Sequence, residues 1–144
     1  FKYPVDTSVN YIKRVIGVPG DTLEIRNKII YINDNPVPVE EVNGEDIKSE
    51  LDERSKNSNL KFFTSNLEDH KFIIQQDVDN LYSSQFDKIV IPEGKFFVMG
   101  DNRGNSEDSR FHLDKNNGMV PESEVIGRVS LKIWPISRIG GIEN

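Results

Sequence analysis

Two stretches far apart in the sequence carry most of the side chains that could do chemistry. Tyr11–Asp21 (YIKRVIGVPGD) places a lysine and an arginine inside an apolar run. Gly100–Phe111 (GDNRGNSEDSRF) consists almost entirely of glycine and polar residues and follows the apolar run Lys95–Met99. So many groups able to bond one another predict a structured polar network that braces another part of the molecule. A solvated surface loop with weak ion pairs is the alternative.

Lys13 is the side chain of the first stretch that could act as a base. If Tyr11–Val18 is a strand, both of its faces are largely apolar, so at least one cation must face a buried side. Arg14 stays protonated in proteins, whereas desolvation of a lysine favours the neutral amine. From this strand alone, a lysine that lies along apolar surface with its ammonium in water is the simpler interpretation.

Together the two stretches resemble the bacterial type I signal peptidases, the membrane-bound Ser/Lys peptidases that remove signal peptides. YIKRVIGVPGD is similar to the family's box with the general-base lysine, and GDNRGNSEDSRF is similar to its downstream polar box. Phe1–Pro4 and the end Ser137–Ile142 also agree with the family, while little of the middle does. The order and separation of the boxes make the pair specific.

The resemblance implies a role for the charged and hydroxyl residues of both boxes. Lys13 would be the general base of acyl transfer to a serine, followed by hydrolysis. Ser106 would accept a hydrogen bond from the Lys13 amine and aim it at the nucleophile. Two ion pairs would support this contact: Arg14 with Asp101, and Asp108 with Arg110.

An extended peptide substrate would add to the edge of the lysine strand, where backbone hydrogen bonds give affinity and shallow pockets select side chains. We therefore expect the cleft to be lined by Asn10, Tyr11 and Ile12. The alternative for Ile12 is an ordinary core position.

The sequence departs from the family at the nucleophile. The family's serine lies in a Ser-Met-x-Pro type box, upstream of the lysine strand and just after a membrane anchor, and no serine here has that context. Because the chain begins at Phe1, we expect a preceding segment to be missing and the chain alone to be inactive. Gly104 stands where the family commonly has Asp, which puts one hydrogen bond of the polar box in doubt.

The resemblance also implies partners and a location. The substrates would be signal peptides of secreted precursors. The protein would be anchored in the bacterial inner membrane by an N-terminal segment, with its catalytic domain on the extracytoplasmic side. An incomplete cleft would leave an apolar patch that invites dimerisation.

Composition excludes several other classes of function. The net charge of −6 and pI near 5.0 argue against binding to nucleic acid. There is no cysteine, and His70 and His112 lack the spacing of zinc ligands, so we expect neither metal nor cofactor. No apolar run approaches the about 20 residues that cross a bilayer.

Short apolar runs separated by turns predict an all-β fold. The resemblance implies a folded-sheet or barrel catalytic domain formed by residues 1–33 and 87–144, with a small inserted β subdomain at 34–86. Within the insertion, Glu45–Arg54 is either a short amphipathic helix or a mobile loop. Near the C-terminus, Glu122–Trp134 alternates and predicts a strand.

Two other functions fit parts of the pattern. One is a non-catalytic homologue or fragment that keeps the peptide cleft without the nucleophile. The other is a soluble Ser/Lys self-cleaving repressor, whose catalytic domain resembles this family's. The sequence shows no DNA-binding helix pair, which counts against the second.

Overall fold

The computed structural model describes residues 1–3, 6–80, 84–111, 118–133 and 139–142, and this part of the chain is mostly β-sheet. The all-β prediction is therefore confirmed. The strands in chain order are β1 (Lys2–Tyr3), β2 (Asp6–Asn10), β3 (Arg14–Gly17), β4 (Thr22–Arg26), β5 (Ile29–Ile32), β6 (Asn35–Pro36), β7 (Val39–Val42), β8 (Leu60–Leu67), β9 (His70–Asp77), β10 (Phe86–Val90), β11 (Lys95–Met99), β12 (Val120–Pro121), β13 (Leu131–Lys132) and β14 (Gly140–Gly141).

The helical elements within the described residues include α1 (Glu45–Ser49), α2 (Glu53–Lys56) and a 3₁₀ turn at Glu122–Glu124. The short helix predicted over Glu45–Arg54 is thus present as two pieces. The break occurs where Asp52 adopts an extended conformation and its carboxylate accepts a hydrogen bond from the Ser55 N–H. An aspartate in this position caps a new helix, so the second piece begins there.

The described strands form five small sheets, and none of these closes into a barrel. A four-stranded sheet has the order β10-β4-β5-β6, and two three-stranded sheets have the orders β12-β11-β3 and β7-β8-β9. Two ribbons, β1-β2 and β13-β14, complete the set. Every described pairing between these strands is antiparallel.

Turn residues set the register of the four-stranded sheet. Asn27 and Lys28 join β4 to β5 with φ angles of 51° and 67°, the left-handed pair that a two-residue hairpin requires. The hairpin predicted at this position is confirmed. Before β4, Gly20 has a φ of 90°, as the second central position of a type II turn demands.

One hydrophobic core serves both the sheets outside residues 34–86 and the predicted insertion. Leu23 and Ile25 of β4 and Phe97 of β11 belong to the same buried cluster as Phe72 and Ile74 of β9. The apolar residues of the insertion therefore pack largely into this common core. The division at residues 34 and 86 stays a prediction. The sheet β7-β8-β9 lies within residues 34–86. By contrast, β6 and Phe86 fall within the same bounds but belong to the four-stranded sheet.

The strand predicted over Glu122–Trp134 is wrong for most of its described length. Residues 125–130 have no strand structure, and only Leu131–Lys132 pair, with Gly140–Gly141. The alternating residues Val125, Val129, Leu131 and Ile133 are all exposed. Alternation favours a strand only where a second layer covers the apolar face. Trp134 lies outside the described residues.

Candidate functional site

Lys13 lies just before a strand instead of inside one. The predicted strand Tyr11–Val18 is shorter than expected, because β3 begins at Arg14. Tyr11 is diverted into an earlier pairing, since its N–H donates to the Phe1 carbonyl at 2.8 Å and its carbonyl accepts from the Phe1 amine at 3.0 Å. Lys13 therefore sits where the chain passes from the β1–β2 ribbon to β3.

The polar loop, Gly100–Phe111, returns to this point through Ser106. Lys13 Nζ donates to Ser106 Oγ at 2.8 Å, so the contact predicted from the sequence is confirmed, while its role stays a prediction. The Ser106 side chain also helps to lower the pKa of Asp108, two residues further along the loop. Because a lysine side chain is a donor, the Ser106 oxygen is the acceptor in the Lys13–Ser106 bond.

Gly100 makes room for this arrangement. A Cβ at position 100 would collide with Ser106 Oγ, would lie 2.6 Å from Ser106 Cβ and would come within 3.5 Å of Lys13 Nζ. Carbon atoms cannot approach so closely, so any larger residue must displace the serine from the lysine. A glycine at the start of the polar loop is a steric requirement of the Lys13–Ser106 contact.

Asp108 and Arg110 form the buried ion pair that the resemblance implied. Two Arg110 nitrogens donate to the carboxylate at 2.7 and 2.8 Å, and the side chains are 3% and 0% exposed. Burial by itself would raise the pKa of Asp108. Hydrogen bonds and charge from Arg110, with further bonds from the Gly100 N–H and Ser106, outweigh it and hold that pKa below its usual value. The loop is thus built around a fixed negative charge.

Arg14 and Asp101 form the second predicted ion pair, which is also confirmed. It is bidentate, with both N···O distances at 2.9 Å, and it is partly exposed. The Arg14 guanidinium also lies over the ring of Phe72, 3.9 Å from its centroid. Phe72 belongs to β9, so the predicted insertion contacts the residue that follows the lysine.

Strand β9 also bonds the backbone of the polar loop. The Gln75 N–H donates to the Asp101 carbonyl at 2.9 Å, and the Arg103 N–H donates to the Gln75 carbonyl at 2.8 Å. Beyond the strand, Asn80 Nδ2 donates to the Gly104 carbonyl at 2.9 Å. A Cβ on Gly104 would lie 3.0 Å from Asp77 Cβ, so the absence of a side chain lets this segment approach.

A tyrosine pair holds the residue next to Ser106. Tyr3 and Tyr11 stack with their centroids 4.4 Å apart, and their hydroxyls donate to the two carboxylate oxygens of Glu107 at 2.9 and 3.3 Å. Desolvation, followed by the nearby Glu107 charge, raises the pKa of Tyr11. Sequence reasoning missed Glu107, because an acidic residue in a polar loop carries no sign of its partner.

Ser109 was also given no specific role, and it fastens the end of the polar loop to β11. Its hydroxyl accepts from the Val98 N–H at 2.9 Å, and its own N–H donates to the Val98 carbonyl at 3.1 Å. The side chain is fully buried. The only signal was its place in a box of short polar residues.

The three residues expected to line the cleft have different surroundings. Asn10 ends β2 and pairs with Lys2, and the backbone of Tyr11 bonds Phe1. Ile12 is 77% exposed, so the core alternative for it is wrong. Among the described strands, β3 pairs with β11 alone, which leaves its other edge open beside Ile12 and Lys13. The structure thus brings only Ile12 of the three to an open edge.

Neither a metal centre nor a membrane span is found within the described residues. They contain no group of three or more acidic, histidine or cysteine side chains that could hold a metal ion. The helices that the structure describes are too short and polar to cross a bilayer.

The sequence of the chain is similar to those of known proteins. The profile of the family described as "Signal peptidase, peptidase S26" matches residues 1–134. Signal peptidase I of Pseudomonas aeruginosa is 31% identical over 152 residues, which cover 100% of this chain and 51% of that protein. Signal peptidase I of Rickettsia typhi is 37% identical over 148 residues, which cover 100% of this chain and 53% of that protein.

A crystal structure of a signal peptidase I from Enterococcus faecalis is 30% identical, covers 80% of this chain and 78% of that chain, and has a TM-score of 0.40. The chain spans about half the length of the curated relatives it matches. The family profile covers all but the last ten residues and includes both boxes that hold the Lys13–Ser106 contact. The chain therefore belongs to the signal peptidase family, peptidase S26.

Proposed function

We propose that this chain carries the general-base half of a Ser/Lys signal peptidase. The observation that supports the proposal is the 2.8 Å hydrogen bond from Lys13 Nζ to Ser106 Oγ, which belongs to the same polar loop as the buried Asp108–Arg110 ion pair. The nucleophile in this proposal is a serine from a segment preceding Phe1. This serine attacks the carbonyl carbon of the scissile peptide bond.

Lys13 moves the proton in both halves of the proposed reaction. Its neutral amine takes the hydroxyl proton as the serine oxygen bonds the carbonyl carbon. The resulting ammonium gives that proton to the leaving amine as the peptide bond breaks, which leaves an acyl-enzyme. Water then attacks the ester with Lys13 again as base, and the serine and the carboxylic acid are released.

In this proposal Ser106 positions the amine and is not the nucleophile. Its oxygen accepts the hydrogen bond from Lys13 Nζ at 2.8 Å, and it lies in the polar loop, away from any sequence that resembles the family's nucleophile box. Ser106 would thus orient Lys13 Nζ toward a second hydroxyl.

Replacing Lys13 with arginine tests the base. Arginine keeps the charge but stays protonated at any working pH, so it cannot take the serine proton. We expect cleavage of a signal-peptide-bearing precursor by the full-length Lys13→Arg enzyme to fall by about 10²–10⁴-fold. Initial rates measured with purified precursor give the value.

Lys71→Arg is the matched control, because Lys71 is exposed on β9. It should cleave at the wild-type rate. If Lys13→Arg retained substantial cleavage while its melting temperature was unchanged, Lys13 would not be the base.

The substrates in this proposal are signal peptides of secreted precursors, bound in extended form along the open edge of β3. Ile12 is exposed at that edge beside Lys13, and Val15 is also exposed on β3. Apolar side chains at an edge can form the small pockets that select residues near the cut. Asn10 and Tyr11 are proposed to shape the end of this cleft through their side chains.

Shortening Ile12 tests the placement of the cleft. Ile12→Ala should change the preference between small and larger residues at the cut site by about 1–3 kcal/mol in relative kcat/KM. Competition between two precursors that differ at that residue measures the ratio. Ile73→Ala, on an apolar residue exposed on β9, should leave the ratio unchanged. An unaltered ratio in Ile12→Ala would move the cleft elsewhere.

The proposed location is the bacterial inner membrane, with the catalytic domain on the extracytoplasmic side. The family assignment supports this location, and it is tested by fractionating cells and by adding protease to spheroplasts. Digestion of the chain in intact spheroplasts is the expected result. Recovery in the cytosolic fraction would contradict it. A dimer through the cleft stays a prediction that sedimentation of the purified protein tests.

A further inference from the structure

A small cavity lies where three parts of the chain meet, and Lys13 is not among the residues that line it. The polar loop, the end of β9 and the β4–β5 turn enclose a volume of about 20 Å³. This is enough for one particle slightly larger than a water molecule. The polar lining relevant to its chemistry consists of Lys28, Asp77, Asn80, Arg103, Gly104 and Arg110.

The lining carries more positive than negative charge. Arg110 is neutralised by its ion pair with Asp108. Lys28 Nζ donates to the carbonyls of Asp77 and Val78 at 3.1 Å each, which are neutral acceptors. Among the described residues of the lining, Asp77 is the one acidic group, and its carboxylate can balance one of the two remaining cations. One positive charge of the lining is left in excess.

Arg103 is the cation in excess. Its side chain is buried, it forms no ion pair with a described residue, and its Nε has no hydrogen-bond partner there. Burial, and after it repulsion from Arg110, lowers the pKa of Arg103 to about 10. A buried donor without an acceptor is costly, and a buried charge without a partner is more so. The charges of Asp101 and Asp108 offset part of this cost, but they leave the Arg103 Nε without an acceptor, so the site is suited to an anion.

We propose that this cavity binds a small monovalent anion of the size of chloride, which accepts a hydrogen bond from Arg103 Nε. A space of about 20 Å³ favours a single-atom anion over sulfate, phosphate or larger organic anions. Gly104 contributes to the site because a side chain there would occupy the space beside Asp77. The bound anion neutralises Arg103 and so stabilises the polar loop that carries Ser106.

Bromide locates the site directly, because it resembles chloride and scatters anomalously. Crystals of the protein grown or soaked in sodium bromide should show an anomalous peak between Arg103 and Lys28. A cavity that holds only water under these conditions would overturn the proposal. This result does not depend on any variant folding.

Thermal unfolding provides the solution test. At constant ionic strength, replacing sodium gluconate with sodium bromide or chloride should raise the melting temperature by roughly 2–4 °C once the halide exceeds its dissociation constant several-fold. Equal melting temperatures in halide and gluconate would overturn the proposal.

Two variants should remove the halide response. Arg103→Gln removes the positive charge, and Gly104→Asp supplies a carboxylate in place of the bound anion. Arg128→Gln is the matched control, because Arg128 is exposed, and it should keep the wild-type response. A halide response that survived in folded Arg103→Gln would place the anion elsewhere. These outcomes are independent of peptidase activity, so they do not depend on the proposed function.

Discussion

The polar loop and the three-stranded sheet β7-β8-β9, here the insertion sheet, stabilise the same site by different means. The polar loop has little regular structure and buries the charged side chains of Arg103, Asp108 and Arg110. The Arg110 side chain bonds the Asp108 carboxylate and the Arg103 carbonyl. The insertion sheet is regular, and its ion pair Lys61–Glu41 is exposed. Its contribution to the site comes from one aromatic ring and from backbone groups of β9.

The difference shows which kind of contact can be predicted from a sequence. Buried charges need partners of opposite sign, so a dense box of acidic and basic residues predicts ion pairs. A backbone hydrogen bond, such as that from Gln75 to Asp101, can be made by almost any residue. The first region was therefore recognisable from its residues, and the docking of the second was not.

Removing Asp108 should have the largest effect on stability. Asp108→Ala leaves the buried Arg110 without its counter-ion, and breaking one side of a buried pair typically costs about 3–5 kcal/mol. Urea unfolding monitored by fluorescence measures the change. Asp87→Ala, an exposed carboxylate on β10, should cost less than about 0.5 kcal/mol. Similar losses in the two variants would mean that the polar loop does not depend on its buried charge.

Adding a methyl group at position 100 tests the position of Ser106 without removing any charge of the polar loop. Gly100→Ala should displace Ser106 and lower stability by about 1–3 kcal/mol, the usual cost of overpacking. It should also reduce precursor cleavage by the full-length enzyme. Gly127→Ala is the matched control, because a Cβ there meets no atom within 4 Å. Wild-type cleavage by folded Gly100→Ala would show that the Lys13–Ser106 contact is dispensable.

The smallest effect is expected from replacing Phe72, the residue of the insertion sheet whose ring lies over Arg14. Phe72→Leu keeps an apolar side chain but loses the cation–π contact, so cleavage should fall by about 2–5-fold, equivalent to ~0.5–1 kcal/mol. Phe62→Leu, a buried position on β8, should lower stability comparably and leave kcat unchanged. If both variants reduced activity in proportion to stability, the insertion sheet would act only as packing.

The boxes predicted the central contacts well, because both ion pairs and the Lys13–Ser106 bond follow from chemistry that few residue types can supply. Periodicity predicted most strands but failed at the ends of the chain. Before β3, the backbone of Tyr11 forms hydrogen bonds with the backbone of Phe1. Periodicity does not reveal this pairing, because the two residues are ten positions apart. In residues 125–133, the apolar alternation predicts a strand, although only Leu131–Lys132 pair and the alternating apolar side chains are exposed.

The Lys13–Ser106 bond joins residues 93 positions apart, and the Arg14–Asp101 pair joins residues 87 apart. Closing such loops costs entropy that is repaid only after the core has formed. The β8–β9 hairpin, by contrast, pairs Leu67 with His70 across a two-residue turn and can form early. We therefore expect the Lys13–Ser106 contact to form late in folding. Until the polar loop is in place, Lys13 lacks its Ser106 partner, so the alignment of this lysine depends on completion of the domain.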